Sequence, residues 1–332
     1  MTPEERVEAI ASFGFTQRQS RFLVTVMTHS GVCMGRQYCA FSGIGWGEPS
    51  RNLFLKLEGD GYATSLRPAH SRARLFHIHH KPIYAALGEV NTRLRRPTTL
   101  ARAVERLMVL DAVTDDRSLT WLGTERDKVS HFTTRVSVPR SALPSATFRS
   151  LGAESDRTPE ETTRYFIDRL PIGVSGDGGA HVFLFVAIEA HPSAFRLFLE
   201  RHASLLRALP EWTVRVAFPR HRAAAIPRYE SAFRDQLLSP LPPRVLEELR
   251  WYVAQKSATV PTFDERFFLA QSAFEKPRFR TLLKRWTEDG EQVLESMTSE
   301  MLTESVTTGR GRMECVVLPH QYLHLLSLVG TA

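Results

Sequence analysis

The chain is poor in cysteine, with Cys33, Cys39 and Cys315 the only three among 332 residues. So few thiols exclude a disulfide framework, and the odd count fits a reducing compartment. Long apolar runs are also missing. The longest, Val182 to Ile188, is seven residues, against about 20 needed to span a bilayer. The start, Met-Thr-Pro-Glu-Glu-Arg, lacks the basic-then-apolar order of a secretory leader, so a cytoplasmic protein without membrane contact is expected. No Gly-x-x-x-x-Gly-Lys loop is present, and Gly43-Ile44-Gly45-Trp46-Gly47 does not follow a buried strand. Nucleotide binding therefore has no motif, and no cofactor is expected. Neither an internal repeat nor a low-complexity tract interrupts the chain.

Apolar residues make up 42% of the sequence, enough for substantial cores. The length suits about two domains. The formal charge is +7, and it is unevenly spread. Between Thr16 and Arg96 twelve Arg and Lys face four acids, so this segment alone exceeds the whole chain's surplus. A polyanion is the natural partner for such a segment.

Thr16-Gln17-Arg18-Gln19 has the form of a capping box, and Phe22, Leu23, Val26 and Met27 follow at helical spacing. A second helix is expected over Arg36 to Phe41, and a third from Pro49, with Leu53, Phe54 and Leu57 inward, to Gly59-Asp60-Gly61. Tyr62-Ala63-Thr64 and Arg74 to His80 then read as paired strands around a basic turn. Three helices followed by a two-stranded ribbon is the order of a winged helix-turn-helix. Asn91 to Thr99 reads as a linker, Leu100 to Val113 as a helix, and Ser137 to Thr158 as loop. Beyond it, a strand interrupted by Pro171, a Gly176-Asp177-Gly178-Gly179 turn, an apolar strand, a helix over Ser193 to Leu209 and a strand over Trp212 to Phe218 make a small mixed sheet. The expected fold class is α+β: a winged helix-turn-helix over 1–92, an α/β domain over 98–225, and a mostly helical region over 226–332 suited to dimerisation.

Reading a DNA groove needs forked donors and amides near the start of the third helix. Ser50, Arg51, Asn52 and Lys56 fall there, off the Leu53/Phe54/Leu57 stripe, while Arg36, Arg67, Arg72 and Arg74 are candidates for further DNA contacts, the last three on the wing. The run Phe76-His77-Ile78-His79-His80, with His70 nearby, raises a metal reading, since alternation puts His77 and His79 on one face. No second pair at metal-ligand spacing completes a tetrahedral set, so no metal is expected. The cysteines sit in no motif and read as packing residues.

In the second block, Asp168 and Glu189 near strand ends resemble the carboxylate pair of the PD-(D/E)XK nucleases, where two acids hold a divalent ion and a lysine two residues on stabilises charge. Here that position is His191, and Ile167 rather than proline precedes Asp168. A degenerate, inactive scaffold is the expectation. Together, Phe15-Thr16-Gln17-Arg18-Gln19 through His80, and the strand block ending at Glu189, are similar to the replication-relaxation type of proteins of plasmids and integrative mobile elements. The similarity covers roughly residues 12–220. It implies a winged-helix head on a nuclease-like domain, acting in replication, DNA relaxation or gene regulation. The expected function is a site-specific regulator that binds double-stranded DNA as a homodimer. The alternatives are a metal-dependent nuclease or nicking protein using Asp168, Glu189 and His191, and an interaction scaffold that binds no DNA.

Overall fold

The computed structural model describes residues 1–68, 73–150, 160–176, 178–237, 241, 243–258, 262–294 and 300–326. The chain is a mixed α+β protein. Helix α1 (Pro3–Ala11) starts on a capping box in which Thr2 accepts from the Glu5 amide and Glu5 reaches back to the Thr2 amide. Thr16 and Gln19 do the same for α2 (Gln17–His29). Strand β1 (Val32–Met34) runs directly into α3 (Gly35–Ser42). Helix α4 (Glu48–Gly59) has Pro49 in its first turn, where the missing amide costs nothing. Strands β2 (Ala63–Leu66) and β3 (Leu75–Ile78) complete an antiparallel sheet in the order β1-β3-β2. Its inner face packs Phe76 and Ile78 onto Phe22, Val26, Leu53 and Leu57.

After α5 (Lys81–Ala86), residues 91–99 behave as a strap. Leu94 packs so closely on Gly31 that a Cβ there would lie 2.6 Å from its carbonyl oxygen, and that oxygen receives His77 Nε2 at 2.9 Å. Helix α6 (Leu100–Asp115) is buried over most of its circumference because it is sandwiched between two sheets. Val32, Met34 and Leu75 cover one side, and Leu184, Val186, Ala217 and Leu318 the other. Apolar residues on two opposite sides of the helix are what such a position requires.

The second sheet has five strands in the order β10-β9-β8-β7-β4: β4 (Thr120–Leu122), β7 (Ile172–Val174), β8 (Ala180–Val186), β9 (Glu211–Pro219) and β10 (Gly311–Leu318). The β7–β8 pair is an antiparallel hairpin around the glycine-rich turn, of which Asp177 lies outside the described residues. From β8 the chain crosses through α8 (Ser193–Ala208) to a parallel β9. Helix α7 (Glu125–Ser130) precedes a π turn over 131–135.

Three expectations change. The stretch read as loop contains β5 (Ser145–Ser150), which pairs antiparallel with β6 (Glu160–Tyr165). The strand read as interrupted by Pro171 starts only at Ile172, because left-handed backbone at Phe166 and Arg169 turns the chain before it. The third concerns the C-terminal part, where α9 (Ile226–Leu237), α10 (Pro243–Ser257), α11 (Glu265–Phe274), α12 (Pro277–Asp289) and α13 (Glu300–Thr307) are helical as expected. Its end, however, returns as β10 and pairs in parallel with β9 over eight positions, so it belongs to the central sheet. Helices α10 to α12 keep a small core of their own around Leu249, Tyr252, Phe267, Phe274 and Leu282. Among the described residues no helix is long and apolar enough to cross a membrane.

Candidate nucleic-acid interface

Helix α4 is held by its buried face, Leu53, Phe54 and Leu57, against Phe22 and Phe76. Ser50 is buried and closes the first turn, accepting from the Gly47 amide at 2.9 Å and donating to the Gly47 carbonyl at 2.8 Å. That anchoring turns the next two residues outward. Arg51 and Asn52 are exposed, and neither side chain has a hydrogen-bond or ionic partner among the described residues. Leu55, one turn beyond Arg51, is 57% exposed. Arg67 on the β2–β3 turn, and Arg18 and Arg21 on α2, are exposed as well.

Four other candidates have internal roles instead. Arg36 donates Nη1 and Nη2 to the two Asp111 oxygens at 2.8 and 2.7 Å. Burial alone lowers its pKa, yet the hydrogen bonds and charge of Asp111 hold it above the ordinary guanidinium value. Asp111 also accepts from Gln37 Nε2 at 2.9 Å and from the Tyr322 hydroxyl at 2.6 Å, so one buried carboxylate joins α3, α6 and the C-terminal segment. Lys56 donates to the Gly14 carbonyl at 2.7 Å and lies over the Phe15 ring. Arg74 pairs with Glu58, donates to Ser65 Oγ at 2.8 Å and covers Phe76. Ser50 is the fourth, spent on its own helix start. Arg72 and His70 lie outside the described residues.

Phe76 and Ile78 face the core while His77 is covered by the 91–99 strap, and burial pushes its pKa down. Among the described residues no group of three His, Cys, Asp or Glu could hold a metal ion.

Asp168 and Glu189 have separate surroundings. Asp168 sits between the left-handed residues Phe166 and Arg169, where Oδ1 accepts the Leu170 amide at 3.0 Å and Oδ2 lies 3.4 Å from His202 Nε2. His202 Nδ1 is 2.9 Å from the Phe198 carbonyl, so that nitrogen carries a proton and Nε2 turns to the carboxylate. The adjoining Lys128 donates to the Leu170 carbonyl at 2.6 Å, and burial pushes it down to about 8. Glu189 is exposed beyond β8, where its carbonyl accepts the Tyr229 hydroxyl at 3.0 Å and its charge raises the Glu105 pKa, behind burial of Glu105 itself. The two sets of neighbours share no member, and His191 is exposed without a partner among the described residues. Next to the Asp168 group, His131 and His181 share one hydrogen bond at 2.9 Å between their Nε2 atoms; burial pushes His181 down to about 4, so the pair is neutral near pH 7.

Sequence reasoning placed Arg51 and Asn52 off the apolar stripe of α4, and missed Leu55, which carries no polar signal and is outward because of its place on the helix. No family model matches the chain, and neither a curated protein nor a solved structure matches it.

Proposed function

We propose that the chain is a sequence-specific regulator of double-stranded DNA in which α2 to β3 works as a winged helix, with α4 as the groove-reading helix and the β2–β3 turn as the wing. The order helix, strand, helix, helix, strand, strand with β3 between β1 and β2 supports this reading. The observation that carries it is the pair Arg51 and Asn52, exposed side by side near the start of α4 without internal partners among the described residues. Arg can fork onto guanine, Asn onto adenine, and Leu55 on the same face suits a thymine methyl. Arg18, Arg21 and Arg67 would supply phosphate contacts, which position the protein without reading bases.

On this reading the five-stranded sheet is a degenerate nuclease-like scaffold that presents the reading head, and a plasmid or mobile element is the setting that the replication-relaxation resemblance suggests. A homodimer would double the sequence read.

The test is capture of genomic fragments by the purified full chain, followed by gel shifts on the recovered site and on random duplex. Arg51→Ala should weaken the specific site by about 1–3 kcal/mol and leave random duplex little changed, whereas Arg67→Ala should weaken both alike. Equal losses on both duplexes from Arg51→Ala would overturn base reading, and absence of any salt-sensitive DNA binding would overturn the proposal.

A further inference from the structure

A cleft opens beside the face just assigned to DNA. It has a volume of about 710 Å³ and lies between α3, α4 and β3 on one side and residues 320–325 on the other. Sites for organic ligands commonly fall between about 300 and 1,000 Å³.

We propose that this cleft binds a small aromatic carboxylate, and that the bound anion takes Arg51 away from DNA; the second half rests on the DNA-binding reading above. One wall is a run of rings. Trp46 lies nearly parallel to Phe54 at 6.2 Å, and Phe54 meets Phe76 at 4.3 Å. Gly35 permits this, because a Cβ there would come within 2.2 Å of the Trp46 ring. A flat apolar wall selects a flat apolar ligand.

The charge around the cleft is one-sided. Among the described residues its lining includes Arg36, Arg51, Arg74, His320 and His324 but no Asp or Glu. Arg36 and Arg74 already have Asp111 and Glu58 as partners outside the lining. Arg51 is the cation left without one among the described residues, which matches a ligand of single negative charge better than a polyphosphate. Since Arg51 also belongs to the proposed DNA face, anion and duplex compete for it. By linkage each then weakens the other.

The probe is 2-naphthoate, with the uncharged 2-naphthalenemethanol as its control, titrated calorimetrically into the full chain. The acid should bind with one-to-one stoichiometry and at least about tenfold more tightly than the alcohol. Trp46→Ala removes the stacking wall, and His324→Glu adds a repelling charge on the far side from α4. Each should weaken the acid at least about tenfold with circular dichroism and duplex affinity unchanged. With the acid at ten times its Kd, affinity for the captured duplex should fall about tenfold.

No heat from the acid up to about 1 mM, or equal binding of acid and alcohol, would overturn the site. Acid binding with unchanged duplex affinity would overturn the competition for Arg51 and leave the site standing. Acid binding by a chain that binds no duplex would instead overturn the DNA reading. Loss of duplex affinity in Trp46→Ala or His324→Glu without any acid would make the cleft part of the DNA surface and overturn the ligand.

Discussion

Replacing Asp111 with Ala tests how the N-terminal head is fixed to the rest of the chain. The Asp111 carboxylate is 8% exposed and accepts four hydrogen bonds, two from Arg36 and one each from Gln37 and Tyr322. Gln37 and Tyr322 are buried at 1% and 0%, so water cannot replace the lost acceptor for either. Arg36 is 30% exposed and recovers part of its solvation. Removing one member of a fully buried ion pair costs about 3–5 kcal/mol, and the partial exposure of Arg36 places Asp111→Ala near the lower end, about 3 kcal/mol. Tyr322→Phe deletes one hydrogen bond to a charged acceptor and should cost about 1.5–3 kcal/mol. Because both variants break the same contact, the double variant should cost less than their sum. Urea unfolding followed by tryptophan fluorescence gives all three values. A loss below about 1 kcal/mol for Asp111→Ala, or full additivity in the double variant, would refute the view that this carboxylate ties α3, α6 and the C-terminal segment together.

Gly311 faces Trp212 across the parallel β10–β9 pair, and an added Cβ would lie 2.3 Å from that fully buried ring. Gly311→Ala should therefore cost about 1–3 kcal/mol in urea unfolding, while Gly59→Ala, with open space at the end of α4, should be neutral or slightly stabilising; the reverse order would refute the packing of β10. Burial pushes His29 down to about 3 and His181 to about 4. Below the unfolded imidazole value only the unfolded chain takes up these protons, so stability present above about pH 6.5 is lost on acidification, by about 2 kcal/mol per histidine at pH 5. Glu200, pushed up to about 7 by burial, acts in the opposite sense, since the folded chain protonates it first and regains about 2–3 kcal/mol by pH 5. Urea midpoints should fall only shallowly from about pH 8 to pH 5 in the parent protein and steeply in Glu200→Gln, and parallel pH profiles would refute this opposition.

Local signals were legible where one element carries its own evidence. The capping residues of α2, the proline and apolar stripe of α4, and the continuous apolar run of β8 gave those elements within a residue or two of their observed bounds. What pattern could not give was pairing over distance. Strand β1 has three residues, too few for a period, and becomes a strand only because β3, more than forty residues on, supplies its partners. Strand β10 finds β9 about a hundred residues earlier, so its apolar run alone does not distinguish an edge strand from one more C-terminal helix. The same limit governs the charge argument. Counting Arg and Lys between Thr16 and Arg96 treats each as available, yet Arg36 is matched by Asp111 from α6, Arg74 by Glu58, and Lys56 by a backbone carbonyl. The positive field that reaches solvent is therefore smaller than the composition implies and is set by the exposed members, Arg18, Arg21, Arg51 and Arg67 among them. Of these, Arg51 adjoins both the outer face of α4 and the cleft, so on the two proposals made above DNA and an anion in the cleft would draw on the same side chain.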